Sequence, residues 1–248
     1  MKNSGTAASI LAVISQFWDA AGSYRLLRSG RNAGIAMISA VLLIAMAGYV
    51  PALFIDWNEV QQDWRAERMP RLTEEGYSPA RADSLVSSEL QEMRQMTSNL
   101  PMARLVERGV IALIAALAAF GIVYAVEGRK VGTMLDYFTS SVMCQGAYML
   151  TGVILIALVT LLNIPPSMRL NLSFFVPADV AAPSRIHVFI YRFTESIDIP
   201  SLVSLFLWGS GIAAMVGRQR SWGLRLSFSV YILGILLISL PVMFAPAA

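Results

Sequence analysis

The chain has 248 residues, of which 56% are hydrophobic and 14% charged, with a mean hydropathy of +0.60 and a net charge of +3. That balance excludes a disordered or an ordinary water-soluble chain. One cysteine and one histidine leave no disulfide framework or zinc cluster to expect, and no cofactor is expected either.

Residues 1–33 form a lead-in. An apolar stretch follows Lys2, but it is short, and Asp19 and three arginines come after it, so it is not read as a signal peptide. Ile10, Ile14, Phe17, Ala21 and Tyr24 recur at helical spacing. This predicts either a helix lying in the membrane interface or an ordinary helix packed beneath the other elements. Arg25, Arg28 and Arg31 close the segment as headgroup contacts and topology signals.

Five apolar runs follow, at 34–54, 106–126, 146–164, 200–216 and 224–244. Each holds roughly 17–21 residues, enough to cross a hydrocarbon core of about 30 Å as a helix. Charge appears only at their rims, as Glu107, Arg108 and Arg225. Arginines precede the first run and Asp56 and Glu59 follow it. Arg218 and Arg220 fill a basic turn at 217–223, opposite Glu195 and Asp198. Both comparisons predict a cytoplasmic N-terminus and, with five spans, a C-terminus outside.

Two segments then face outward. In 55–105, Trp57, Val60 and Trp64 line a short helix expected to end near Pro70. Gly76-Tyr-Ser-Pro79 is a turn with Ser78 as N-cap and Pro79 in the first helical position. A second helix aligns Ala82, Val86, Leu90, Met93 and Met96. The apolar stripe of this helical hairpin either packs its arms together or receives a partner, through Trp57, Trp64, Leu90 and Met93 as anchors. The loop 165–199 alternates well enough over 169–176 and 185–194 to predict a small β-ribbon, turning at Pro177 and Pro183. Asn171-Leu-Ser173 matches the short glycosylation acceptor pattern. Within the cytoplasmic or interfacial segment 127–145, between the second and third spans, the semi-polar stretch Gly132–Gln145 reads as an interfacial helix bending at Gly146.

No chemistry-bearing constellation accompanies these runs. The histidine lies outside the spans, no span pairs two aspartates, and there is no phosphate-binding glycine loop. The protein is therefore not expected to be an enzyme. Ser39, Thr151, Thr160, Ser204 and Ser210 are the polar residues within spans, and such residues commonly bond their own helix. Gly209-Ser-Gly211 reads as close packing or as local unwinding, and Ala112, Ala115, Ala116 and Ala119 suit tight helix contact. Asp136 and Asp198 stand near span starts, where helix capping or gating accounts for them.

Ser196-Ile-Asp-Ile-Pro-Ser201 leads through an apolar run to Gly209-Ser-Gly-Ile212, then to Gly217-Arg-Gln-Arg-Ser221 and a last apolar helix. This resembles the closing half of the Yip1 family, with Val203 standing where the bacterial pattern commonly has tryptophan. The lead-in, five spans, bend before the third span and charged insertion after the first also resemble its bacterial branch. The resemblance implies a non-enzymatic accessory or regulatory subunit in the bacterial inner membrane. It implies as partner the permease, ATPase or adaptor of a MacAB-type ABC export complex. A small self-associating transporter or channel is the alternative, and a lipid-organising protein is the third. The expected fold is an all-α polytopic bundle of five transmembrane helices with an extracytoplasmic helical hairpin and a small β-ribbon. Lipids are expected around it, a homo-oligomer is an open outcome, and nucleic acid is not expected.

Overall fold

The computed structural model describes residues 4–28, 30–53, 55–128, 131–162, 171–176 and 184–243. Among them run nine α-helices: α1 Ser4–Ser15, α2 Ala20–Arg25, α3 Gly30–Leu53, α4 Trp57–Glu74, α5 Pro79–Glu127, α6 Met134–Leu161, α7 Arg185–Glu195, α8 Ile199–Val216 and α9 Arg220–Ser239. By length and composition, α3, α5, α6, α8 and α9 are long and apolar enough to cross a membrane. On that basis the chain is an all-helical integral membrane protein. It divides into two compact units, residues 45–106 and the remainder, with the boundaries falling inside α3 and α5.

Residues 45–106 hold the helical hairpin. Asp56 caps α4, its Oδ1 accepting from the Asn58 N–H at 2.9 Å. The chain reverses through residues 75–78, where Gly76 has φ of 90°, a conformation open to glycine because it has no Cβ. Leu72, Ala82, Val86 and Leu90 form the core between the arms, and Val60, Trp64, Met69, Leu85 and Met93 pack against it. The stripe thus joins the arms to each other. Two expectations are corrected here. α4 passes through Pro70 to Glu74, and α5 passes through Pro101 without a break, so the second arm and the second span are one helix. A proline inside a helix removes one backbone bond, and the cross-arm core compensates at Pro70. At Pro101, Gly48 of α3 lies so close that a Cβ there would sit 3.0 Å from the Pro101 Cα.

The larger unit is organised around α8, which packs against α2, α6 and α9. Lipid offers no water to expel between helices, so close approach is what holds them. Gly209 faces Gly223 of α9, and Gly211 lies against the Tyr24 ring of α2. Two residues apart on a helix means nearly opposite faces, so one glycine pair serves two neighbours. α8 runs unbroken through both, which settles Gly209-Ser-Gly211 as close packing. Ala112, Ala116 and Ala119 of α5 are likewise fully buried.

The lead-in departs from its predicted stripe. α1 stops at Ser15, and Asp19 starts α2 by accepting from the Gly22 N–H at 2.8 Å. That break resets the helical phase. Val13, Gln16, Tyr24 and Leu27 are buried, whereas Ile10 and Ile14 are exposed. The segment thus packs α1 on α6 and α2 on α8 while leaving Ile10, Leu11, Ile14 and Trp18 exposed.

The later half of the segment before the third span forms the longest buried run among the described residues. α6 starts at Met134 and continues through Gly146, with every residue from 139 to 147 buried. Some of its polar side chains find partners nearby, as Ser140 Oγ does in donating to the Tyr137 carbonyl at 2.7 Å, whereas the Thr139 and Ser141 hydroxyls have none among the described residues. Gly146 lets α1 approach, since a Cβ there would lie 3.3 Å from Val13 Cγ1.

The β-ribbon is also corrected. Residues 185–194 lie in α7, and residues 171–176 are one isolated bridge residue followed by a 3-10 turn. Residues 165–170 and 177–183 lie outside the described ones. Ile186, Val188 and Ile190 alternate as in a strand, but Ile186, Phe189, Ile190 and Phe193 also fit a helix. The Ser184 cap, accepting from the His187 N–H at 3.1 Å, and the Phe189–Phe193 stack at 6.2 Å fit the helical alternative. Asn171 is committed locally, accepting from both the N–H and the hydroxyl of Ser173.

Candidate functional site: an intramembrane cleft

A cleft of about 390 Å³ opens in the larger unit among α5, α6, α8 and α9. Its walls are mainly aliphatic, from Ile111, Ile114, Leu205, Val230, Ile235 and Ile238. Ile114 of α5 and Ile238 of α9 are 61% and 76% exposed, so its edge is apolar. Gly234 forms part of the α9 wall, with open space where a Cβ would stand.

Polar groups converge inside. The Arg108 side chain is 13% exposed, and its guanidinium stacks 4.0 Å from the centre of the Tyr148 ring. One terminal nitrogen donates to Gln145 Oε1 at 3.3 Å, and the other pairs with Glu107 at 3.4 Å. Its Nε is buried with no hydrogen-bond partner among the described residues, as is the Ser141 hydroxyl. Tyr148 donates its hydroxyl to Asp198 Oδ2 at 3.2 Å, while Asp198 Oδ1 caps α8 by accepting from the Ser201 N–H at 2.7 Å. Glu195 supplies a second carboxylate at the lining, and Tyr231 donates to the Ser196 carbonyl. A guanidinium in an apolar setting is costly unless it is bonded. Here it keeps one donor unused.

Next to the cleft lies a fully buried polar chain. Gln16 donates to the Met143 carbonyl at 3.1 Å and accepts from the Tyr24 hydroxyl at 3.1 Å. Trp208 donates to Ser140 Oγ at 3.4 Å. Burial, with Cys144 alongside, holds the Tyr24 phenol well above its ordinary pKa, so it stays a donor.

The residues singled out from sequence divide between these settings. Asp198 is in the cleft and also caps a helix. Asp136 belongs to a capping box with Thr133, whose N–H donates to Asp136 Oδ2 at 2.7 Å. Trp64 donates to Glu89 Oε2 at 3.0 Å, Leu90 is buried in the hairpin core, Met93 packs on that core, and Trp57 lies beneath the Arg94 guanidinium at 5.4 Å. Trp64, Leu90 and Met93 thus lie between the arms of the hairpin, Leu90 buried and the other two half-buried. Arg218 pairs with Glu127 at 2.6 Å. Arg220 donates to Ser210 Oγ at 2.9 Å and covers the Phe206 ring at 4.1 Å, so both arginines brace the α8–α9 turn. Arg25 and Arg31 are exposed, and Arg28 lies in a 3-10 turn after α2. Ser39, Thr151, Thr160 and Ser204 all donate to carbonyls of their own helices.

Sequence reasoning noted Arg108 only as a rim charge and missed Gln145, Tyr148 and Tyr231. No signal pointed to them, since Arg108 and Tyr148 stand near the starts of consecutive apolar runs, which alternation assigns to opposite faces. Their pairing required the helix neighbours to be known.

The fold and cleft define an integral membrane protein, helical over its described residues, with a cavity lined by charges of both signs. Comparison with known proteins finds no match to a family model, a curated protein or a solved structure.

Proposed function

We propose that the protein is a non-enzymatic accessory or regulatory subunit that works by binding a membrane partner, an ABC-type export complex of the MacAB kind. The hairpin carries this reading. It has its own core, and Arg68 and Arg65 tie the arms to Glu89 and Asp83 at 3.2 and 3.1 Å. An element held in this way keeps its shape while presenting its outer face. At the tip it exposes the adjacent carboxylates of Glu74 and Glu75 near Tyr77, while Glu67 is paired with Arg71 at 2.8 Å. The partner contact belongs to this face, because the inner stripe is occupied. The Yip1-like plan supports the same reading. It also supports a bacterial inner-membrane setting with a cytoplasmic N-terminus, an outer hairpin and an outer C-terminus. The self-associating channel draws less support, because Thr151 and Ser204 are bonded within their helices and Ser210 to Arg220.

The test is affinity purification of the full chain from its native membrane in mild detergent, with mass spectrometry of the accompanying proteins. Stoichiometric recovery of an ATPase and its permease is expected, and it should fall when Glu74 and Glu75 are both replaced by lysine. Recovery of the chain alone as a defined homo-oligomer would overturn the proposal and favour the channel.

A further inference from the structure

The cleft has the size and the mixed lining of a ligand site. Such pockets span about 300–1,000 Å³, with a few convergent polar groups on apolar walls. Ile114 and Ile238 at its edge are exposed apolar residues of membrane-length helices, which suits an occupant that enters from a bilayer. The walls fit hydrocarbon chains. The charged inventory is unusual in holding both signs: Arg108 with a free Nε, and Asp198 and Glu195 as carboxylates. An acidic headgroup would meet the guanidinium but be repelled by the carboxylates. A purely cationic amphiphile would leave the buried Nε and the Ser141 hydroxyl without acceptors.

We propose that this cleft binds one zwitterionic phospholipid, its phosphate on Arg108 and Ser141 and its ammonium toward Glu195 and Asp198. Tyr148 stands between the two poles, stacked under Arg108 and bonded to Asp198. It keeps the opposite charges apart, so that each is available to the headgroup. The acyl chains lie along Ile111, Ile114, Val230 and Ile238. The phosphate oxygens supply the acceptors that the buried nitrogen and hydroxyl lack.

The experiment uses the purified full-length protein, equilibrated with mixed micelles of equimolar phosphatidylethanolamine and phosphatidylglycerol. Retained lipid is counted by native mass spectrometry. The wild type should keep one phosphatidylethanolamine in preference to phosphatidylglycerol. Gly234→Leu fills the cleft from a position with open space for a side chain. It should lose the bound lipid while keeping its thermal unfolding midpoint. Arg108→Gln should weaken retention about tenfold or more, the scale of a lost charge-assisted contact. Glu195→Gln should narrow the preference between the two lipids. A wild type that holds no lipid, a Gly234→Leu protein that holds it as well as the wild type, or equal retention of both lipids would each overturn the proposal. Should Arg108→Gln fail to fold, Gly234→Leu still decides.

Discussion

Gly209 and Gly223 bring the backbones of α8 and α9 together: a Cβ on Gly209 would stand 2.6 Å from the Gly223 carbonyl oxygen. The atom in the way is main chain, so it cannot swing aside. Either glycine replaced by alanine should lower stability by about 1–3 kcal/mol, the range for overpacking. Thermal unfolding in detergent measures this. Gly152→Ala, where nothing lies near a new Cβ, should leave the midpoint unchanged or raise it.

Gly211 and Tyr24 make a second such pair, but with a side chain on one side. Gly211→Ala should be strongly destabilising alone and much less so in a Tyr24→Ala background. A double-mutant cycle should therefore show clear non-additivity. Tyr24→Phe keeps the ring and removes only the hydroxyl bonds to Gln16 and the Ser140 carbonyl, costing about 1 kcal/mol.

Leu90→Ala empties part of the hairpin core and should cost about 2–5 kcal/mol there. Hydrogen exchange should rise across residues 57–94 and stay unchanged in α6 and α8. If exchange in the hairpin did not rise, the core assignment would fail.

The hairpin should also respond to acid. The hydrogen bond from Arg68 holds Glu89 below its ordinary carboxylate value of 4.5, outweighing partial burial. With the folded value lower than the unfolded one, the contribution is complete above 4.5 and is lost as pH falls through the lowered value. Exchange in the hairpin, corrected for its intrinsic pH dependence, should accelerate on acidification in that window. Glu89→Gln should flatten this response.

The five spans were legible because hydropathy summed over a long window is insensitive to local detail. Their ends were not. The second span continues from the hairpin because the chain stays helical through Pro101, where the apolar count begins too late to reveal it. α7 was misread because Ile186, Val188, Ile190 and Phe193 fit two periods at once, and the Ser184 cap lies just before them. Residues 136–147 looked interfacial because they are semi-polar, and composition does not show that small polar groups can bond carbonyls within a packed helix. Asp198 was legible as a cap from Pro200 alone. Its place in the cleft depends on Tyr148, fifty residues away in sequence, and no spacing rule joins them.

The polar chain through Gln16 has a consequence for assembly. Gln16 bonds the Met143 carbonyl 127 residues onward, and Tyr24 rests on Gly211, later still. These residues thus have binding partners far downstream in the chain. Contacts so distant in sequence close slowly, and α1 and α2 cannot seat until α6 and α8 are both in place. Until then Gln16 and Tyr24 have only each other and the Val13 carbonyl as native partners. Docking of the N-terminal segment is thus the final latch on the bundle, and its protection from protease would report that all the later helices have arrived.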